Sequence, residues 1–187
     1  MAISKTEQVR VSKFLSLVLR HQPDAAGVTL DEAGWCAVDA LLQGCTSHCY
    51  EISRDDLARV VEQNDKKRFQ FSEDGARIRA VQGHSLDVDL DYQAQTPPEV
   101  LYHGTATRFL DSIKQQGLLK MSRQFVHLSA THETALKVGE RHGKPVVLGV
   151  RAGEMHRSGT PFYRAANGVW LVDAVPPVYL RFPETTR

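Results

Sequence analysis

Arg68-Phe69-Gln70-Phe71-Ser72-Glu73-Asp74-Gly75-Ala76-Arg77-Ile78-Arg79-Ala80 is the stretch in which the apolar period of this chain changes to two. Phe69 and Phe71 point to one face, Arg68 and Gln70 to the other. Ser72 to Gly75 carries the residues of a tight turn, and Ile78 and Ala80 resume the apolar face opposite Arg77 and Arg79. The pattern predicts a β-hairpin. Upstream the period is helical. Ser4 and Glu7 form an S-x-x-E capping box for a first helix carrying Val11, Phe14, Leu15, Val18 and Leu19, and Pro23 stops it. Gly27 to Leu30 reads as a short strand, Asp31 to Gly34 as a turn, and Trp35 to Leu42 as the start of a second helix with Val38, Leu41 and Leu42 apolar. Ser53 caps a third helix with Leu57, Val60 and Val61 on one face. Three helices followed by a hairpin is the order of a winged helix, a common nucleic-acid-binding architecture, and also of a generic small α+β domain.

Downstream, residues 87–98 are acidic and end in Pro97 and Pro98, the composition of an extended linker. The second half starts with a strand at Val100 to His103, followed by a turn at Gly104 and Thr105. A helix with Phe109, Leu110 and Ile113 runs to Gly117. Phe125 to Leu128 is a strand, Thr131 caps a helix ending near Gly143, and Pro145 to Val150 is a buried strand. Short strands are expected near Phe162, Val169 to Val172 and Val178 to Leu180. The expected class is therefore α+β in two lobes: residues 1–86, a linker over 87–98, and a mixed-sheet lobe over 99–187.

The 187 residues carry a net charge of +1, so contact with nucleic acid should be local and use few phosphates. No run spans a membrane and the N-terminus lacks the apolar core of a signal peptide, which points to the cytoplasm. Cys36, Cys45 and Cys49 make no disulfide framework. Cys45, His48 and Cys49 resemble a metal-ligand string, but a fourth ligand is not evident and an ordinary loop is the plainer reading, so no metal is expected. No G-x-G-x-x-G or Walker sequence is present. The most informative pair is Arg20 and His21 at the end of the first helix, with no acid beside them before Asp24. Arg offers a planar fork of donors to phosphate, and His gains or loses a proton near neutral pH. Alone, the same pair is ordinary helix-end chemistry.

Five strings share one explanation: Leu19-Arg20-His21-Gln22-Pro23; Asp65-Lys66-Lys67-Arg68-Phe69 with Gly75 and Ile78-Arg79-Ala80-Val81-Gln82-Gly83-His84-Ser85; Leu101-Tyr102-His103-Gly104-Thr105; Arg123-Gln124-Phe125-Val126-His127-Leu128-Ser129; and Asn167-Gly168-Val169-Trp170-Leu171. In this order and spacing they closely resemble the tRNA/RNA 2′-phosphotransferase (KptA-like) family, from about Ser12 to about Leu180. The resemblance implies a winged-helix RNA lobe and an ADP-ribosyltransferase-like NAD lobe. It implies an enzyme that consumes NAD to remove an internal 2′-phosphate from RNA of the tRNA splice-junction type. The 2′-phosphate attacks the nicotinamide ribose, nicotinamide leaves, and an RNA-phospho-ADP-ribose forms. The ribose 2″-hydroxyl then attacks phosphorus, releasing 2′-OH RNA and ADP-ribose 1″,2″-cyclic phosphate.

The family's basic tetrad maps to Arg20, His21, Arg68 and Arg123, with the arginines binding phosphate and stabilising transition-state charge. His21 either contacts phosphate or moves a proton in the second step. His103 and Gly104 are implied to hold a ribose hydroxyl and the nicotinamide amide, with Thr105, Ser129 and Asn167 as further NAD-site candidates. Lys66 and Lys67 are candidates for the RNA backbone, beside the reading of a solvated charge run. His127 reads equally as a core or supporting histidine and as a ligand contact; Trp35 and Trp170 read as core anchors. The expected partners are a 2′-phosphorylated, tRNA-like RNA and NAD, with no membrane, and the expected state is a monomer. Two other classes compete. A winged-helix regulator with a sensing lobe leaves Arg123 and His103-Gly104 idle, and a protein-directed ADP-ribosyltransferase leaves Arg20, His21 and Arg68 idle.

Overall fold

The computed structural model describes residues 3–48, 50–64 and 67–183. Cys49 and Lys66, named above as candidates, lie outside them. The chain divides into two compact units, Met1–Asp91 and Tyr92–Arg187. Both mix helices with small antiparallel sheets.

In the first unit the capping box of Ser4 and Glu7 starts α1 (Lys5–Arg20), whose buried face is Val11, Leu15, Val18 and Leu19. Each box satisfies helix-end N–H groups that have no partner in the helix. After a 3-10 turn at Pro23–Ala26, residues 28–30 form no strand, contrary to expectation. The Val28 N–H bonds back to Pro23, so the chain here closes the turn instead of joining a sheet. The Asp31–Gly34 turn forms, with the Asp31 carboxylate accepting from the N–H groups of Ala33 and Trp35. Trp35 does not start a helix. Cys36–Ala37 is a short strand, β1, and α2 begins only at Val38 (Val38–Ser47). Ser53 caps α3 (Arg54–Glu62) with Asp56. The hairpin is β2 (Phe69–Phe71) with β3 (Arg77–Ala80), and the sheet order is β1-β3-β2. Phe69, Ile78 and Ala80 face a core with α1, α2 and Leu57. Arg77 and Arg79 lie over the half-buried Trp35 ring, at 5.5 and 4.4 Å.

Segment 87–98 is not free chain. Val88 and Leu90 are buried on the first unit, beside Gly34. Within the second unit, Gln95 bonds Phe162 and Ala94 bridges Tyr163.

The second unit opens with β4 (Leu101–Ala106), which runs through Gly104 and Thr105 where a turn was expected. The elements that follow are α4 (Leu110–Gln116), β5 (Leu118–Leu119), β6 (Val126–Leu128), α5 (His132–Gly139), β7 (Pro145–Val150), α6 (Ala152–Arg157), β8 (Tyr163–Arg164), β9 (Trp170–Val172), β10 (Ala174–Val175) and β11 (Leu180–Arg181). Gly117, at φ +77°, ends α4. Phe109 is exposed and does not join the α4 apolar face. Residues 178–179 sit in a 3-10 turn, so the last strand starts at Leu180. The sheets run β11-β7-β4, β6-β9-β8 and β10-β5. Both N–H···O bonds between Tyr102 and Ser129 tie β4 to the end of β6. Leu101, Leu148, Val150, Leu128, Val172 and Trp170 fill the core, with Trp170 only 5 % exposed.

Gly104 explains how α5 seats on β4. A Cβ there would lie 1.7 Å from the Ala135 carbonyl oxygen and 2.9 Å from the Gly139 nitrogen. The missing side chain therefore admits helix backbone.

Candidate active site

Arg20 is the last residue of α1 and His21 its C-cap, with the His21 N–H bonded to Leu17. Two bonds tie this pair to the chain beyond β3. The Ser85 N–H donates to the Arg20 carbonyl at 3.0 Å, and the Ser85 hydroxyl lies 2.9 Å from His21 Nδ1. A hydroxyl can donate or accept, so Ser85 supports either neutral tautomer of His21 as well as the imidazolium. The neighbouring His84 is 1 % exposed. Burial first, then the charges of Arg20, His21 and Arg79, push it down to about 4, with the Leu19 carbonyl acting the other way. His84 therefore stays neutral at pH 7, and the permanent positive charge beside it is the guanidinium of Arg20.

Arg68 is half-buried just before β2. Its carbonyl accepts from Val81, and its Nη1 donates to Asn64 Oδ1 at 2.9 Å. Asn64 in turn donates to the Ser12 hydroxyl on α1 at 3.2 Å. Arg20, His21 and Arg68 are thus all joined to α1 and to residues 81–85, at the open end of the hairpin, away from its Ser72–Gly75 turn. Lys67 is exposed, at φ +39°, with its N–H bonded to Asn64. No reading of spacing linked Ser85 or Asn64 to these groups. The Ser85–His21 contact joins residues 64 positions apart.

In the second unit Arg123 is exposed on a turn closed by its N–H to Lys120. Its Nη1 lies 3.1 Å from His127 Nδ1. The His127 carbonyl accepts from His103 Nδ1 at 3.0 Å. That bond places the His103 proton on Nδ1 and leaves Nε2 as an acceptor for a hydroxyl. Burial holds His103 below the usual histidine range; His142 and Arg123 add to this, and the His127 carbonyl opposes it. Tyr102 spends its N–H and carbonyl on Ser129, away from β7. Backbone groups alternate sides along an antiparallel strand, so those of Gly104 point the same way. Thr105 shares the His103 face but is 6 % exposed. Ser129 follows His127 by two, and so shares its face, half-buried. Asn167 accepts from the Val169 N–H in the turn between β8 and β9, so its amide shapes that turn.

Among the described residues no group of three or more His, Cys, Asp or Glu side chains is arranged to hold a metal ion, and no helix is long and apolar enough to cross a membrane. Cys36 and Cys45 are buried free thiols, raised to about 12 and about 11 by burial.

Each unit thus presents arginine beside histidine, side chains whose chemistry suits phosphate-bearing ligands. Comparison with known proteins is more specific: the chain belongs to the RNA 2′-phosphotransferase, Tpt1 / KptA family, whose match covers residues 6–174. A probable RNA 2′-phosphotransferase of Trichormus variabilis is 54% identical over 178 residues, covering 95% of this chain and 98% of the relative. Proteins given the same name in Acaryochloris marina and Pseudomonas aeruginosa PAO1 are each 56% identical, over 90% and 91% of this chain and 93% and 94% of theirs.

Proposed function

We propose that the protein is an NAD-dependent RNA 2′-phosphotransferase. It removes an internal 2′-phosphate, of the kind left at tRNA splice junctions, and yields 2′-OH RNA, nicotinamide and ADP-ribose 1″,2″-cyclic phosphate. The observation that carries this reading is the family membership over residues 6–174, a span that contains Arg20, His21, Arg68, His103 and Arg123. The first unit is read as a winged-helix RNA lobe and the second as an ADP-ribosyltransferase-like lobe.

The chemistry of the donors fits NAD. His103 Nε2 is an acceptor for a ribose hydroxyl, and the Gly104 N–H and carbonyl suit a carboxamide, which needs one acceptor and one donor. When bound, NAD supplies an electrophilic anomeric carbon with nicotinamide as leaving group. Every other task falls to the chain. Arg20, Arg68 and Arg123 bind the RNA 2′-phosphate and offset the repulsion between two anionic partners. A phosphate is already a nucleophile, so no basic side chain is needed to activate it. When charge builds on the phosphoryl oxygens, the same guanidinium groups stabilise it. His21, held by Ser85, contacts the phosphate or carries the proton of the attacking hydroxyl. Lys67, exposed before Arg68, meets the RNA backbone.

The test is direct. The protein is mixed with NAD and a short RNA bearing one internal 2′-phosphate. Dephosphorylated RNA and ADP-ribose cyclic phosphate are expected; labelling of proteins from NAD at a comparable rate, or no reaction, overturns the reading.

A further inference from the structure

His127 takes part in two contacts at once, one through its ring and one through its main chain. A guanidinium has donors and no acceptor, so in the 3.1 Å contact Arg123 donates and His127 Nδ1 accepts. Nδ1 then carries no proton, and the ring proton sits on Nε2. The carbonyl of the same residue accepts from His103. β6 holds the residue from both sides: Val126 and Leu128 are buried, and His127 pairs with Leu171 of β9. Arg123, by contrast, sits on an exposed turn. A long exposed side chain has much rotamer freedom to lose on gripping a ligand, and a fixed acceptor removes part of that loss in advance.

We infer that His127 is a positioning residue that holds the Arg123 guanidinium for the substrate phosphate through Nδ1, while its carbonyl sets the tautomer of His103. This rests on the function proposed above. One strand residue thereby aligns the phosphate-binding and ribose-binding groups of the second unit. The two duties separate by mutation, because the carbonyl survives any side-chain change.

The test uses the full chain with His127→Asn, His127→Gln and His127→Leu. The Asn amide oxygen falls near the place of Nδ1, whereas that of Gln falls near Nε2. Turnover is measured on NAD and the 2′-phosphorylated RNA, NAD affinity by calorimetry, and folding by thermal melts. His127→Asn should stay within about threefold of wild type, and Gln and Leu should lose about ten- to a hundredfold, the range for one hydrogen bond to a charged group. NAD affinity should be unchanged in all three. In an Arg123→Ala background, His127→Leu should not weaken binding of the 2′-phosphorylated RNA further. The inference is overturned if Asn falls as far as Leu, if Leu stays within threefold of wild type, or if Leu costs as much without Arg123 as with it. An inactive wild type would instead overturn the function on which the inference rests.

Discussion

Gly104→Ala probes the seat of α5 on β4. The added Cβ meets the Ala135 carbonyl oxygen at 1.7 Å and its carbon at 2.6 Å, far inside the 3.4 Å at which ordinary contact begins. Neither atom belongs to a side chain that could rotate away, so the helix itself must withdraw from the strand. Overpacking that side chains absorb costs about 1–3 kcal/mol; a backbone clash belongs at or above the top of that range, about 3–4 kcal/mol. For a chain of this length each kcal/mol lowers Tm by about 2–4 °C, so a fall of about 6–16 °C is expected in far-ultraviolet dichroism melts. Gly139→Ala, with its Cβ 2.8 Å from the Thr105 carbonyl oxygen, should fall less. Gly149→Ala meets only the Arg181 side chain at 3.4 Å and serves as the control, within about 2 °C of wild type. A Gly104→Ala melt within that same margin would refute the packing account.

Other outcomes follow from the two sites. The unfolded chain takes a proton on His84 near 6.5 and the folded chain only near 4, so acidification across that window favours unfolding. Urea melts at about pH 7 and about pH 4.5 should differ by about 2 kcal/mol on account of His84, and His84→Gln should flatten that slope, leaving the contributions of His103 and of carboxylates held low such as Glu7 and Glu99; an unchanged slope refutes it. Arg68→Ala and Arg123→Ala should each lower 2′-phosphate removal by about a hundredfold or more, and Lys should restore little because it lacks the planar fork; full activity with the fold intact removes that residue from the site. Ser85→Ala should cost about tenfold in turnover while Ser85→Thr recovers most of it; equal loss in both would deny the hydroxyl a role at His21. Turnover should need NAD and survive EDTA, and strict dependence on a divalent ion would contradict a site whose charge neutralisation comes from arginine.

Local signals read well in this chain where they are self-contained. Ser4 with Glu7 and Ser53 with Asp56 cap the expected helices, because a cap satisfies its own backbone within a few residues. The hairpin was legible from Phe69 to Ala80 for the same reason. What failed depends on distant partners. Cys36–Ala37 is extended only because Ile78 and Arg77 lie opposite. Gly104 and Thr105 look like a turn until Val147 and Val146 pair with them. α6, β5 and β10 are too short to show a period, and none was foreseen. Arg20, His21, Arg68 and Arg123 stood out in the sequence, but their supports, Ser85, Asn64 and His127, are set by hydrogen bonds that spacing does not encode.

The two tryptophans fall one to each unit, in unlike surroundings. Trp35 is half-buried under the guanidinium groups of Arg77 and Arg79, whereas Trp170 is enclosed in apolar core with Arg164 5.6 Å above its ring. Indole emission shifts to shorter wavelength as water is excluded, so Trp170 supplies the blue part of the spectrum and Trp35 the red. Trp170→Phe leaves a single lamp in the first unit and Trp35→Phe a single lamp in the second. Intrinsic fluorescence of the two variants then follows the loosening of each unit separately, with no dye attached.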